Sequence, residues 1–264
     1  MPEISINDMK MYYEEHGSGD PLVLIAGYTC DSSHWESILE GLSSKFHVLI
    51  FDNRGTGRSA SPDAPSSIET LAEDCKALVD ALGWKKFHVL GHSMGGAITQ
   101  TFAVKFPEKI QKVILSNTFI KIKPVQSVVL KFFLDLRKQG VDPATQLRGI
   151  LPWIFSNTFC SSEKCLEGVI EILMNHPYPQ SFVGQKRQLE ALLAFDSRAW
   201  VKDISAPTLV VGGAEDILTP HSDGEELAEK ISGSTLYTFP HMGHDPLHEV
   251  PEQYVQVISE FLQG

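Results

Sequence analysis

No stretch of this 264-residue chain approaches the ~18 consecutive apolar residues that a membrane span needs. Its first residues, Met1 to Tyr13, lack the basic-then-apolar architecture of a secretory signal. Basic residues are few. The chain has 22 Lys and Arg against 33 Asp and Glu, a net charge of −11, and no basic cluster. That balance speaks against nucleic acid or an anionic membrane as partner. Cysteine is also sparse. Cys30, Cys75, Cys160 and Cys165 are scattered, at no metal-ligand spacing, and read as free thiols in a reducing cytoplasm. There is no internal repeat, no low-complexity linker and no G-x-x-x-x-G-K phosphate loop. No metal or cofactor is expected, and the chain is expected to be a monomer or homodimer.

What is present is an apolar content of 42%, ample for a sizeable core. Ile4–Ile6 and Met9–Glu14 read as two strands around the Asn7-Asp8 turn, a β-hairpin. Leu22–Ala26, Phe46–Phe51, Phe87–Leu90, Lys112–Ser116 and Thr208–Val211 are short runs of the kind found in strands covered on both faces, as in a parallel sheet. Thr235–Phe239 completes the set. Between them lie helical patterns. One, opened by a capping box at Ser66-Ser67-Ile68-Glu69, puts Ile68, Leu71, Cys75, Leu78 and Leu82 on one face and stops at Gly83. The alternation predicts an α/β fold with a mainly parallel, eight-stranded sheet and helices on both sides.

The rhythm breaks between Phe119 and Asp203, where no strand is evident. Val125, Val128, Val129, Phe132, Phe133 and Leu136 recur at helical spacing, as do Leu166, Val169, Ile170, Leu173 and Met174. A third helix is expected from near Pro179, carrying Phe182, Leu189, Leu192 and Leu193. The organisation expected is a core of residues 1–118 and 204–264 and a helical cap of residues 119–203. Phe132, Trp153, Phe155 and Phe159 are the cap's candidate pocket residues.

Gly91-His92-Ser93-Met94-Gly95 fits G-x-S-x-G. By chance, about one chain in ten of this length would contain that pattern. Here it stands between an apolar run, Phe87–Leu90, and a helical stretch, Met94–Phe106, which is the strand–turn–helix setting of a nucleophile elbow. A serine hydroxyl needs a base within reach, and the base needs an orienting acid. In open parallel sheets such groups collect at the C-terminal ends of strands. Ser93, Asp216 and His244 all follow strands, in the order Ser…Asp…His. Asp216 is preferred to its neighbour Glu215 because adjacent side chains point oppositely. His244 is preferred to His241 and His248 because Gly243 gives its loop freedom to turn inward. His92, next to Ser93 on a tight turn, is expected to point away. His34, His47, His88, His176 and His221 read as surface or packing residues, and Asp52 and Asp245 as structural. The Met94 amide, at a helix N-terminus, and the Tyr28 amide, in the loop after Leu22–Ala26, are the candidate oxyanion donors. Gly27, Tyr28 and Met94 would also line the substrate site.

With Asp52-x-Arg54-Gly55-x-Gly57-x-Ser59, Gly91–Gly96, Pro207-Thr208-Leu209 through Asp216, and Gly243-His244, nearly the whole chain resembles an α/β-hydrolase of the capped, cofactor-free esterase and lactonase group. It is similar to 3-oxoadipate enol-lactonases and related carboxylesterases. The resemblance implies hydrolysis of a small carboxylic ester or lactone through an acyl-enzyme on Ser93, with His244 as base and Asp216 as orienting acid. Carbon–carbon bond hydrolysis, cofactor-free perhydrolysis and, in another class, a hydrolase-fold ligand receptor or signalling partner use the same scaffold. One departure stands out. Many relatives carry His-Gly after the first parallel strand, where this chain has Ala26-Gly27, without the side chain that braces the oxyanion loop.

Overall fold

In a computed structural model, which describes residues 2–264, one eight-stranded sheet carries the fold. The elements, in order, are β1 (Glu3–Ile6), β2 (Met9–His16), β3 (Asp20–Ile25), α1 (Glu36–Ser43), β4 (Phe46–Phe51), α2 (Ile68–Ala81), β5 (Phe87–His92), α3 (Met94–Lys105) and β6 (Ile110–Ser116). Five helices follow: α4 (Pro124–Lys138), α5 (Pro143–Ile154), α6 (Asn157–Cys160), α7 (Glu163–Met174) and α8 (Phe182–Ala194). Then come β7 (Thr208–Gly213), α9 (His221–Lys230), β8 (Thr235–Phe239), α10 (Pro246–Glu249) and α11 (Pro251–Gln263). The strand order is β1-β2-β4-β3-β5-β6-β7-β8. The β1–β2 and β2–β4 pairs are antiparallel, and every other neighbouring pair is parallel.

The period of two along each strand sorts the core into two layers. Leu22 and Leu24 of β3, Val48 and Ile50 of β4 and Ile114 of β6 face one side, where they meet Trp35, Tyr254 and Ile258. Val23, Ile25, Leu49, Val113 and Leu115 face the other, against Leu71, Leu78 and Phe102. Helices α1 and α11 thus cover one face, and α2, α3 and α9 the other. The apolar runs are continuous because neither face of these strands reaches water.

Two details correct the sequence reading. The cap of α2 is Ser67, whose side chain accepts from the amide of Thr70, so the box is Ser67–Thr70 and not Ser66–Glu69. The segment between β6 and β7 contains five helices where periodicity alone suggests three. Helix α5 begins and nearly ends with a proline, Pro143 and Pro152, which reads as a break in the sequence, and α6 has a single turn, too short to show a helical repeat. Leu151, Phe155 and Ile170 form a small core of their own in this insertion. Among the described residues, no helix is long and apolar enough to cross a membrane. All four cysteines are free.

Candidate active site

The end of β5, the start of α3 and the ends of β6, β7 and β8 converge on one place. Ser93 has φ 55° and ψ −119°, a strained conformation for a residue with a side chain. Its amide donates to the carbonyl of Ser116 at 2.9 Å, and its carbonyl accepts from Thr118 Oγ1 at 2.7 Å. These bonds hold the strained turn in place, and the helix that follows it packs close to β3. A Cβ on Gly95 would stand 1.9 Å from the carbonyl oxygen of Ile25, so only glycine allows this approach.

Asp216, in the loop after β7, is 5% exposed. Its Oδ1 accepts from the amides of Leu218 (2.9 Å) and Thr219 (2.8 Å). Its Oδ2 accepts from Asn117 Nδ2 at 3.0 Å, from Thr219 Oγ1 at 2.8 Å and from His244 Nδ1 at 2.8 Å. Burial works against its charge, but His244 and these donors outweigh burial and hold the carboxyl below the usual range. His244 is also buried. Burial disfavours its imidazolium, yet the Asp216 and Asp245 charges prevail and raise its pKa above the ordinary histidine value. With Nδ1–H committed to Asp216, Nε2 is the nitrogen left to act as base.

Glu215 points the other way. It accepts from the amide and side chain of Asn157 at 2.9 and 2.8 Å, joining α6 to the sheet edge. His241 is 80% exposed, near Glu215, and His248 bonds Asp245 at 2.9 Å. His92 is buried, and its Nε2 donates to the His244 carbonyl at 2.9 Å. Burial lowers its pKa to about 4, so its role is to hold the histidine loop in neutral form. Gly243 serves the same loop differently from its expected flexibility. Its φ is not positive, and a Cβ there would lie 2.6 Å from the Ile154 carbonyl oxygen, so the glycine permits a close approach to the insertion. The His244 amide donates to that carbonyl at 2.7 Å.

Gly27 lies beside Ser93, where a Cβ would stand 3.2 Å from that of the serine. The amides of Tyr28 and Met94 donate to no group among the described residues. In place of the missing His-Gly histidine, Asn53 Nδ2 donates to the Ala26 carbonyl at 3.0 Å, and Gln188 Oε1 of α8 accepts from the Thr29 amide at 3.2 Å. The arginines of the Gly-rich loop are already committed. Arg54 pairs with Asp74 and Asp8, and Arg58 with Asp52.

Phe132 and the Phe155–Phe159 pair of the insertion are placed differently from expectation. Phe132 is 55% exposed on the outer face of α4, beside Phe133, because helical spacing defines a stripe and not which side of it faces the sheet. Phe155 and Phe159 stack at 4.1 Å within the insertion's own core. Trp153, half-buried on α5, is not part of that core. Sequence reasoning also passes over Asn117, Thr118, Thr219 and Gln188. The one available signal was Ser116-Asn117-Thr118, a polar run ending a buried strand at its C-terminal edge.

Comparison with known proteins agrees with this architecture. The family model for the alpha/beta hydrolase fold matches residues 20–251. A protein of Azorhizobium caulinodans described as a carbamate hydrolase, RutD, is 30% identical over 245 residues, 89% of this chain and 88% of that one. The 3-oxoadipate enol-lactonase 2 of Acinetobacter baylyi is 32% identical over 236 residues, 88% of this chain and 86% of its own. The crystal structure of the enol-lactonase from Burkholderia xenovorans superimposes with a TM-score of 0.89 at 27% identity, covering 100% of both chains. The chain belongs to the alpha/beta hydrolase fold family.

Proposed function

We propose that this hydrolase cleaves a small carboxylic ester or lactone through an acyl-enzyme intermediate on Ser93. The observation that carries the reading is the buried His244–Asp216 pair, 2.8 Å apart, on loops tied to the strained Ser93. His244 Nε2 takes the Ser93 proton as Oγ attacks the substrate carbonyl. Asp216 keeps His244 in the Nδ1–H tautomer and stabilises the imidazolium. The amides of Met94 and Tyr28 receive the oxyanion. His244 then gives its proton to the leaving oxygen, and water, activated by the same histidine, releases the acid. Helices α4–α8 serve as the cap over this site.

The Tyr28 side chain supports a polar substrate. Its hydroxyl is buried beside the Gln185 side chain of α8, and Arg137 of α4, bonded to Gln185 Oε1 and to the Gln180 carbonyl, lies near enough for its charge to be felt there. A wall of this polarity favours a polar group on the acyl or leaving portion over a long alkyl chain. The similarity to a carbamate hydrolase favours one further substrate class, since a carbamate carbonyl accepts the same attack.

The test is a panel of short p-nitrophenyl esters, lactones and carbamates with native protein and Ser93→Ala. Native protein is expected to turn over at least one class, with a loss on the order of 10⁴ in Ser93→Ala. Equal slow turnover by both proteins overturns the reading. Ligand-induced melting shifts without turnover would place the chain among binding proteins of this fold.

A further inference from the structure

Behind the His244 loop lies a second cluster that the proposed hydrolysis does not use. His34, in the turn Ser32–Trp35, faces Asp245 and His248 at the start of α10. One ring nitrogen of each histidine and one oxygen of Asp245 lie within 4.8 Å of one another. Asp245 is 7% exposed, and its Oδ1 has no hydrogen-bond partner. The buried Nε2 of His34 has none either. The other carboxylate oxygen of Asp245 is held by His248 Nδ1 at 2.9 Å. A buried carboxylate oxygen and a buried imidazole nitrogen without partners, on residues of one cluster, are unusual in a folded protein, where nearly all such atoms find partners.

We propose that His34, Asp245 and His248 form a binding site for a divalent transition-metal ion of the zinc, cobalt or nickel type. Two imidazoles and one carboxylate are a donor set such ions accept, with solvent completing the coordination. Tetrahedral ligands bonded at ~2.1 Å stand about 3.4 Å apart, so closure from the present spacing asks for relative movements of up to about 1.4 Å. His248, 32% exposed, sits at the mouth and gives an ion a path in. The site includes neither Ser93, Asp216 nor His244. It adjoins them through the peptide between His244 and Asp245, through the Asp245 charge felt at His244, and through ring packing, with centroids 4.9 Å apart from His34 to His92 and 5.0 Å from His92 to His244.

The experiment uses the full chain, without an affinity tag and stripped with a chelator. Co²⁺ is titrated while its visible absorption is followed, Zn²⁺ is used as competitor, and metal content is measured after gel filtration. The expected result is saturation at about one equivalent, with absorption typical of low-coordinate nitrogen and oxygen ligation. His34→Gln and His248→Gln should each weaken binding by at least about tenfold. His241→Gln, at an exposed histidine outside the cluster, should leave it unchanged. If His34→Gln fails to fold, because His34 packs on Trp35, the half-exposed His248→Gln decides the matter. Absence of uptake by native protein, or uptake indifferent to His248→Gln, overturns the proposal. The readout is metal binding, so its failure leaves the hydrolytic reading untouched, and the reverse holds as well.

Discussion

Asn117 Nδ2 donates both to Asp216 Oδ2, at 3.0 Å, and to the carbonyl of Gly243, at 3.3 Å. One side chain therefore fixes the acid and the loop that carries His244. Asn117 has φ 45°, a conformation that asparagine and glycine adopt more readily than other residues. Asn117→Gly removes the amide while keeping the backbone accessible. Loss of one hydrogen bond to a charged group costs ~1.5–3 kcal/mol, so kcat/KM on the best substrate of the panel should fall about tenfold or more. Steady-state kinetics beside a melting curve check this. An unchanged kcat/KM would mean that Thr219 and the amides of residues 218 and 219 hold Asp216 unaided.

The pH dependence follows from the same pair. The proposed mechanism needs neutral His244 and ionised Asp216. The histidine pKa is raised above 6.5, since burial, which lowers it, is outweighed by the charges of Asp216 and Asp245. Activity should therefore rise with pH through a value above 6.5. Stability moves oppositely. The raised histidine contributes fully below about 6.5 and loses its contribution as pH rises through its folded value. Asp216, held below 3.8 by His244 and its donors against burial, contributes above that range and loses its contribution as pH falls through the lowered value. In Asp216→Asn the acid limb of the pH–rate profile, and the NMR titration of the His244 ring, should move to lower pH. A ring titration that stays in place would show that Asp216 does not set the histidine's charge state.

The parts of this molecule legible from sequence are those governed by local pattern. Leu22–Ile25 and Phe46–Phe51 announce themselves as strands because both faces are covered. Ser93 announces its turn because Gly95 is required where α3 meets Ile25. The strand-end positions of Asp216 and His244 follow from the alternation of elements. What stays hidden depends on contacts distant in sequence. Asn117 reaches Asp216 across 99 positions, and Gln188 reaches Thr29 across 159. Phe132 has the right period, yet the phase of its helix is set by where α8 and the sheet lie. Gly243 reads as a flexible hinge, but its role is steric, set by the Ile154 carbonyl.

The Gly-rich loop after β4 owes its conformation to a buried ion pair. Arg54 Nε and Nη2 lie 2.7 and 2.8 Å from the two Asp74 oxygens, with both side chains almost fully enclosed. Removing the cation leaves an unpaired carboxylate in the core, so Arg54→Met should destabilise by ~3–5 kcal/mol. The second partner, Asp8, is 53% exposed at its side chain. Asp8→Asn should cost no more than ~1 kcal/mol. Urea unfolding of the two variants measures the contrast. Comparable losses would place the weight of the cluster on Asp8 instead of Asp74.

Glu249 closes the site from the opposite side. Its Oε1 accepts from the Gly243 amide at 2.8 Å and from the Ser156 amide at 3.2 Å, while Oε2 accepts from the Ser156 hydroxyl. One carboxylate at the end of α10 thus joins the loop of His244 to the residue that caps α6. Burial raises the pKa of Glu249, opposed by its bonds to Ser156 and Gly243. Neutralising it should therefore matter less than deleting it. Glu249→Ala strands the buried Gly243 amide and frees the Ser156 hydroxyl, a cost of roughly 2–3 kcal/mol, or about 4–5 °C in Tm for a chain of this size. Glu249→Gln keeps an acceptor for Gly243 and should lose less than half as much. Turnover should follow the same order, since His244 hangs on the adjacent peptide. Thermal unfolding and kcat measured together separate the outcomes. A loss of kcat in Glu249→Ala with native Tm would make Glu249 a positioning residue alone. A loss of Tm with native kcat would confine it to anchoring the insertion.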